Sequence, residues 1–172
     1  MSQQTQSSMK KISLNKIVLN MGIGKSGEPI ETGKIALVQI TGKKPNKRNA
    51  KKSQRDWGVR KGEPIGVAVT VRGNDATELL KKLLVVKDNQ IAEKAFDNEG
   101  NLSFGIKEHI DIPGIKYDPK IGILGLEVSI SLARPGFNIK FNKSKAKVGK
   151  NHRITKNDAI KFLTEEFGVK VV

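Results

Sequence analysis

A glycine-rich hexapeptide is the first candidate for chemistry in this chain. Residues 22–27 read Gly-Ile-Gly-Lys-Ser-Gly and match the G-x-G-x-x-G pattern that holds a pyrophosphate between a strand and a helix. That fingerprint also needs an acidic residue about 20 positions further on, and residues 43–52 contain none. A P-loop would need a glycine where Leu19 stands. The hexapeptide therefore predicts a tight strand-to-helix turn, not a nucleotide site.

Side chains that commonly perform catalysis are scarce and scattered. The two histidines, His109 and His152, lie far apart in the sequence, and there is no cysteine. The lack of cysteine excludes disulfides, thiol nucleophiles and cysteine-bound zinc. No nucleophile elbow or paired-carboxylate arrangement is evident. The sequence predicts a protein that is not an enzyme and that uses no cofactor, metal or small-molecule substrate.

The charge is large and unevenly distributed. The 172 residues include 32 Lys and Arg against 17 Asp and Glu, a net charge of +15. A first basic segment, residues 43–61, has nine basic residues against one acid, and a second, residues 134–156, has eight with none. The rest of the chain is close to neutral. Two such blocks predict contacts with the phosphates of a nucleic acid, which release condensed counterions.

Membranes are a less favoured partner for this charge. The apolar runs are only a few residues long, and the basic residues fall mainly in predicted loops instead of on an amphipathic helix. Residues 1–8 are polar, lack an apolar signal core and are expected to form a flexible tail.

Trp57 is the single tryptophan and lies within the first basic segment. A lone tryptophan is more often a core residue. Between Arg55 and Arg60, however, it is also placed to stack on a base or sugar, as aromatic residues of RNA-binding proteins do. Both interpretations remain open from the sequence.

Alternating apolar residues predict three strands. The first is Ile12–Met21, with Ile12 and Leu14 on one face and the later apolar residues on the other, which is typical of an interior strand. In Ile65–Arg72 the apolar residues alternate with a small, polar set, and Leu126–Leu132 shows the same alternation. The second strand therefore presents a flat polar face on which another molecule can lie.

Helical spacing predicts three helices. Pro29–Ile40 starts at a proline, ends before Gly42 and draws apolar mass from Ile35, Leu37 and Val38. Asp75–Val86 has leucines at helical spacing, and Asp75 with Glu78 resembles a capping box.

The last predicted helix follows Thr155, with Asp158 three residues on and Gly168 as its stop. Residues 87–119 and 135–154 are expected to be long loops. These elements predict an α+β fold in which residues 9–172 form one domain, with helices on one face of a mostly antiparallel sheet.

Five short motifs together are similar to one known family. They are Asn20–Gly24, Thr41–Pro45, Gly62–Gly66, Val69–Gly73 and Pro113–Ile115. In order and spacing they resemble large-subunit ribosomal protein number five, the 5S-rRNA-binding family, in its archaeal and eukaryotic-type branch, over roughly residues 9 to 170. The resemblance implies a curved sheet with long basic loops, located in the central protuberance of a cytoplasmic ribosome.

The resemblance also implies which residues bind rRNA. Asn20, Lys43 and Thr70 fall on the family's RNA-recognition positions, and Lys43 replaces a glutamine typical of bacterial members, which favours a phosphate contact there. Trp57 stands near a phenylalanine of bacterial members. The expected rRNA-binding residues are Asn20, Met21, Gly22, Lys43, Lys44, Trp57, Thr70 and Arg72.

Further partners follow from the resemblance. The loop between the second and third strands, here Lys47 to Arg60, is expected to contact the elbow of the P-site tRNA through Lys47, Arg48, Lys51, Lys52, Arg55 and Arg60. Residues 105–116 are the candidate contact with a small-subunit head protein across an intersubunit bridge. The remaining expected partners are 5S rRNA, 23S-type rRNA and neighbouring large-subunit proteins.

Overall fold

The computed structural model describes residues 7–142 and 147–172 and has the α+β architecture that the sequence predicts. Its strands are β1 (Ser13–Gly22), β2 (Asn46–Asn49), β3 (Pro64–Val71), β4 (Gln90–Ile91), β5 (Leu102–Ile106), β6 (Leu126–Ala133) and β7 (Lys170–Val171). Its helices are α1 (Glu28–Thr41), α2 (Asn74–Val85), the short α3 (Ile139–Asn142) and α4 (Lys156–Phe167).

Five strands form the main sheet in the order β2-β3-β1-β6-β5, and every neighbouring pair is antiparallel. The predicted interior strand, β1, is the central one. The short strands β4 and β7 pair in parallel as a separate two-stranded unit. A mostly antiparallel sheet is confirmed, and it is incompatible with the parallel βαβ unit of a dinucleotide fold.

Three helices cover one side of this sheet with a single hydrophobic core. α1 contributes Ile30, Ala36 and Leu37, α2 contributes its leucines, and α4 contributes Ala159 and Leu163. They bury the alternating apolar residues of the strands, among them Ile17, Leu19, Val67, Val69, Val128 and Ile130. The period-two alternation thus assigns one face of each strand to the core and the other to solvent.

The prediction for the start of β1 was wrong in detail. A bulge lies between Leu14 and Lys16 in the pairing with β6, so Leu14 pairs with Leu132 while Ile17 pairs with Ile130. Paired residues share a face. The extra residue therefore brings Leu14 to the same core side as Ile17, where simple alternation had placed it opposite.

The helices match their predicted ranges but differ in two features. Ile35 and Val38 of α1 are exposed, because the buried stripe runs through Ile30, Gly33, Ala36 and Leu37 instead. The predicted capping box of α2 is absent: the helix begins after Gly73, so Asp75 lies inside its first turn. In α4 the capping box of Thr155 and Asp158 is confirmed, with Gly168 as the left-handed stop.

The two long predicted loops contain regular structure. Residues 87–119 include β4 and the edge strand β5, whose apolar residues alternate with Ser103 and Gly105 and give a weak sequence signal. Residues 135–154 include α3, while Lys143 and Lys145 of the second basic segment lie outside the described residues. Most of the expected tail, residues 1–6, also lies outside them, and Ser8–Lys10 forms a short 3-10 turn.

The close packing of β1 on β3 yields a stability prediction. A Cβ added at Gly66 would lie 2.8 Å from the carbonyl oxygen of Met21, whereas one at the paired Gly22 would meet nothing within 4 Å. Gly66→Ala should therefore lower the free energy of unfolding by about 1–3 kcal/mol, because a backbone has to shift. Gly22→Ala is the matched control and should change it by less than about 0.5 kcal/mol. Urea unfolding followed by circular dichroism measures both, and equal losses would contradict the steric argument.

Candidate nucleic-acid interface

The side of the main sheet opposite the helices is a surface of short polar side chains, which we call the open face. Strand registers determine its members, because residues paired across strands point the same way. The members are Asn46 and Arg48 of β2; Gly66, Ala68 and Thr70 of β3; Lys16, Val18, Asn20 and Gly22 of β1; Glu127, Ser129 and Ser131 of β6; and Ser103 and Gly105 of β5.

Small residues make the centre of the open face flat. Gly66 and Ala68 are buried beside the neighbouring strands, and Thr70 on the same side is exposed. The sequence had suggested that Gly66 and Ala68 would themselves let another molecule approach closely. In the structure they lower the surface, and Thr70 is the residue of β3 that reaches solvent there.

Hydrogen bonds orient two of the expected rRNA-binding side chains. Nδ2 of Asn20 donates to Oε2 of Glu127 at 3.2 Å, which leaves the amide carbonyl of Asn20 directed to another donor. The guanidinium of Arg72 donates to Oδ1 of Asn15 at 3.1 Å. Glu127 was missed by the sequence analysis, because only the β1–β6 register brings it beside Asn20.

Met21 and Gly22 are placed differently from Asn20. The Met21 side chain is 1% exposed and points into the core, so only its backbone reaches the open face. Gly22 is exposed at the end of β1. Of the three consecutive residues expected to bind rRNA, Asn20 alone presents a side chain to the open face.

Lys43 lies beyond the sheet, between the end of α1 and the start of α2. Its Nζ is 2.7 Å from Oδ2 of Asp75, and this ion pair holds the pKa of Asp75 below its ordinary value, mainly through the hydrogen bond from Lys43. Lys44 is exposed next to it. Exposed ion pairs of this kind contribute little stability, so Lys43 can exchange Asp75 for a phosphate at small cost.

The predicted tRNA-contacting loop begins later than expected. Lys47 and Arg48 belong to β2, where Lys47 pairs with Val67 and therefore lies on the helix side. Its Nζ is 3.2 Å from Oε1 of Glu31. Hydrogen bonds from Lys34 and then Lys47 lower the pKa of that carboxyl group. Lys47 thus faces away from the open face, and Arg48 lies on it.

Residues 50–63 form an ordered hairpin loop between β2 and β3. At its base the Ala50 N–H donates to the Glu63 carbonyl at 2.8 Å, and Gln54 pairs with Val59 nearer the tip. The Glu63 carboxylate accepts from the Arg60 N–H and from the Ser26 hydroxyl, which fastens the loop to the glycine-rich turn. Lys51, Lys52, Arg55 and Arg60 all lie in this loop and are exposed.

Trp57 is 78% exposed near the tip of the hairpin loop. Its assignment to the core is therefore excluded, and its ring is available for stacking. Trp57 lies with the expected tRNA-contacting residues, not on the open face.

The fold places the basic residues at both ends of the open face. The hairpin loop follows the Gly22–Gly66 pair, whereas Ser13 pairs with Ala133 at the other end of β1, next to the second basic segment. Ten residues of strand separate these ends by roughly 30 Å. Chain order had grouped Lys43 with the hairpin loop, but the intervening β2 puts them at different ends.

The residues first considered for enzyme chemistry have structural roles. Amides of Ile23 and Gly24 donate to the Ile65 carbonyl at 3.0 and 2.8 Å, so these amides are not available to hold a phosphate. His109 is 1% exposed, and its Nδ1 accepts from the Leu124 N–H at 3.3 Å. The described ranges contain no cluster of three or more metal-binding side chains, and no helix within them is long and apolar enough to span a membrane.

Comparisons with known proteins agree with this architecture. Residues 7–60 match the family described as ribosomal protein L5, and residues 64–162 match the C-terminus of the ribosomal L5 family. The chain is 64% identical to the large ribosomal subunit protein uL5 of Nitrosopumilus maritimus, with 99% of both chains covered. It is 58% identical to that of Cenarchaeum symbiosum, over 95% of this chain and 98% of the relative. With that of Pyrobaculum aerophilum the identity is 46%, over 95% and 92%.

These matches span nearly the whole chain, and the chain belongs to the ribosomal L5 protein family. The expected resemblance, including its archaeal character, is confirmed. Members of this family are structural proteins of the large ribosomal subunit and not enzymes, and in archaea that ribosome is cytoplasmic.

The Lys43–Asp75 pair gives a pH prediction. Because the folded-state pKa of Asp75 is lowered, the stabilisation from this pair is complete above the ordinary value of 3.8 and is lost as pH falls through the lowered pKa. Lys43→Ala should raise the pKa of Asp75 towards its ordinary value, as measured by carboxyl-carbon NMR titration. Glu93, whose pKa is lowered by Lys156, is the internal control and should not move. An unchanged Asp75 titration would refute the ion pair.

Proposed function

We propose that the chain binds 5S rRNA through the open face and thereby holds this RNA in the central protuberance of the large subunit. The observation that carries the proposal is the composition of that face. Across all five strands it presents hydroxyl, amide and glycine groups on a flat surface with exposed Thr70 near its middle. Its ends carry basic residues.

The chemistry of this face suits an RNA duplex. A-form RNA has a wide, shallow minor groove that displays 2′-hydroxyls and base edges. Thr70, Ser129 and Ser131 can both donate to and accept from 2′-hydroxyl groups. Glu127 can only accept when ionised, so it favours a base amino group and disfavours a nearby phosphate. With Asn20 fixed against it, the pair selects an exposed base edge.

Phosphate contacts come from the rim of the open face. Arg48 lies at the end nearer the hairpin loop, whereas Lys43, Lys44 and Arg72 lie towards the other. Their separation lets the two ends hold different phosphates while the centre contacts sugar and base groups. Such contacts position the RNA without reading its sequence.

The hairpin loop is the proposed contact with the elbow of the P-site tRNA. It carries exposed Lys51, Lys52, Arg55 and Arg60, and the exposed ring of Trp57 can stack on an unpaired base. Its base is fastened by Glu63 and Ser26, so the loop is held out from the sheet as one unit. A sequence-neutral surface of this kind suits many different tRNAs.

Other expected partners have separate surfaces. Residues 105–116 are the proposed contact with the small-subunit head protein, and His109 fixes this loop to Leu124. The exposed lysines of the second basic segment are the proposed contacts with 23S-type rRNA, and neighbouring large-subunit proteins complete the set.

Enlarging Thr70 tests the open face. Thr70→Phe should weaken 5S rRNA binding by about tenfold or more, a loss of about 1.4 kcal/mol, because the ring lifts the RNA off the surface. Thr164→Phe makes the same change at an exposed position of α4 and should bind normally. Mobility-shift titrations at two salt concentrations, with an unrelated RNA of equal length, measure both. Equal binding by the two variants, or no preference of the parent chain for 5S rRNA, would contradict the proposal.

Shortening the hairpin loop tests the tRNA contact. Replacing residues 52–60 with Asn-Gly, a two-residue hairpin turn, should leave 5S rRNA binding intact and lower P-site tRNA affinity several-fold. Large subunits reconstituted with the variant provide the measurement. Lys81→Ala with Lys161→Ala, on α2 and α4, controls for lost positive charge. Unchanged tRNA affinity in the shortened variant would remove the loop from the interface.

A further inference from the structure

A concave cavity of about 500 Å³ lies where the open face meets the second basic segment. Its floor comes from the bulged end of β1 and from β6, through Ser13, Asn15, Lys16 and Ser131 among others. Its far wall comes from Phe137, Lys140 and Phe141. The volume falls within the range of about 300–1,000 Å³ found for small-ligand pockets.

The charges around this cavity favour an anion. Lys16, Arg72, Arg134 and Lys140 line it, and none of the described lining residues is acidic. Arg134 is already paired with Asp158 at 3.1 Å. Arg72 instead donates to the neutral amide of Asn15, which positions its guanidinium without cancelling its charge.

Two aromatic rings face the same space in different states. The edge of His152 packs on Phe137, with ring centroids 5.6 Å apart, and Nε2 of His152 donates to the Pro135 carbonyl at 2.8 Å, so Phe137 is held in place. Phe141 is 73% exposed, and Nζ of Lys140 lies 5.3 Å from its ring centroid. A phenylalanine this exposed beside a lysine is a ready stacking platform for a base.

We propose that this cavity binds one unpaired nucleotide of an RNA, with the base stacked on Phe141 and the phosphate held by Lys16 and Arg72. The inference rests on the proposed function, since the nucleotide belongs to the RNA that lies on the open face. It adds a second mode of recognition: the flat centre contacts a duplex, and the cavity takes a base that has left the helix. Asn15 and Asn138 supply amide groups for the base edge.

The test uses the full chain and a fluorescein-labelled pentaadenylate, followed by fluorescence anisotropy at low salt. Phe141→Leu keeps an apolar side chain but removes the ring, and it should weaken binding by about tenfold, because stacking contributes about 1–3 kcal/mol per base. Phe141→Trp keeps a ring and should bind at least as well as the parent. Ile139→Ala, at an exposed apolar residue of the same short helix outside the cavity lining, should have no effect. An unchanged Phe141→Leu, or an equal loss in Ile139→Ala, would overturn the proposal.

Thr70→Phe separates this inference from the proposed function. It should leave pentaadenylate binding unchanged while weakening 5S rRNA binding. If the parent chain shows no preference for 5S rRNA but pentaadenylate binding still depends on Phe141, the cavity stands and the 5S assignment fails. If 5S binding is selective while pentaadenylate is indifferent to Phe141, the cavity proposal fails and the open face stands.

Discussion

β1 is hydrogen-bonded along both edges, and the rest of the molecule depends on this double pairing. Ile17 pairs with Val71 of β3 on one side and with Ile130 of β6 on the other. Because side chains alternate along a strand, a slip of one residue would exchange the two faces of the sheet. Core packing of Ile17, Leu19 and their neighbours opposes that slip, and the same packing that secures the core therefore determines which polar groups share the open face.

The open face differs from an ordinary solvated sheet in how little projects from it. Gly66 is needed where the Met21 carbonyl of β1 approaches, and the serines and glycines of β5 and β6 continue the low surface. Long basic side chains are confined mostly to the ends. This division separates two physical tasks, because close contact with sugars and bases needs small groups, whereas phosphate attraction acts over a longer range.

Several basic residues are already paired in the free protein. Lys43 contacts Asp75, Lys47 contacts Glu31, and Arg134 contacts Asp158. The first two pairs are exposed and contribute little to stability, so they orient these lysines without committing them. Arg134 is more buried and also donates to the Arg153 carbonyl, which ties the second basic segment to the start of α4. Its role is to shape the wall of the cavity.

By itself, the sequence determined the helices, three of the strands, the buried side of each, the two basic segments and the family, because these follow from local periodicity, composition and short motifs. The bulge at Leu14, the pairing of Asp75 with Lys43, the edge strand β5 and the placement of Glu127 beside Asn20 were decided only by the tertiary structure. Each depends on contacts between residues distant in the chain, and strand register has no local signature. For the same reason, the first basic segment looked continuous in the sequence, although β2 carries its two parts to opposite ends of the sheet.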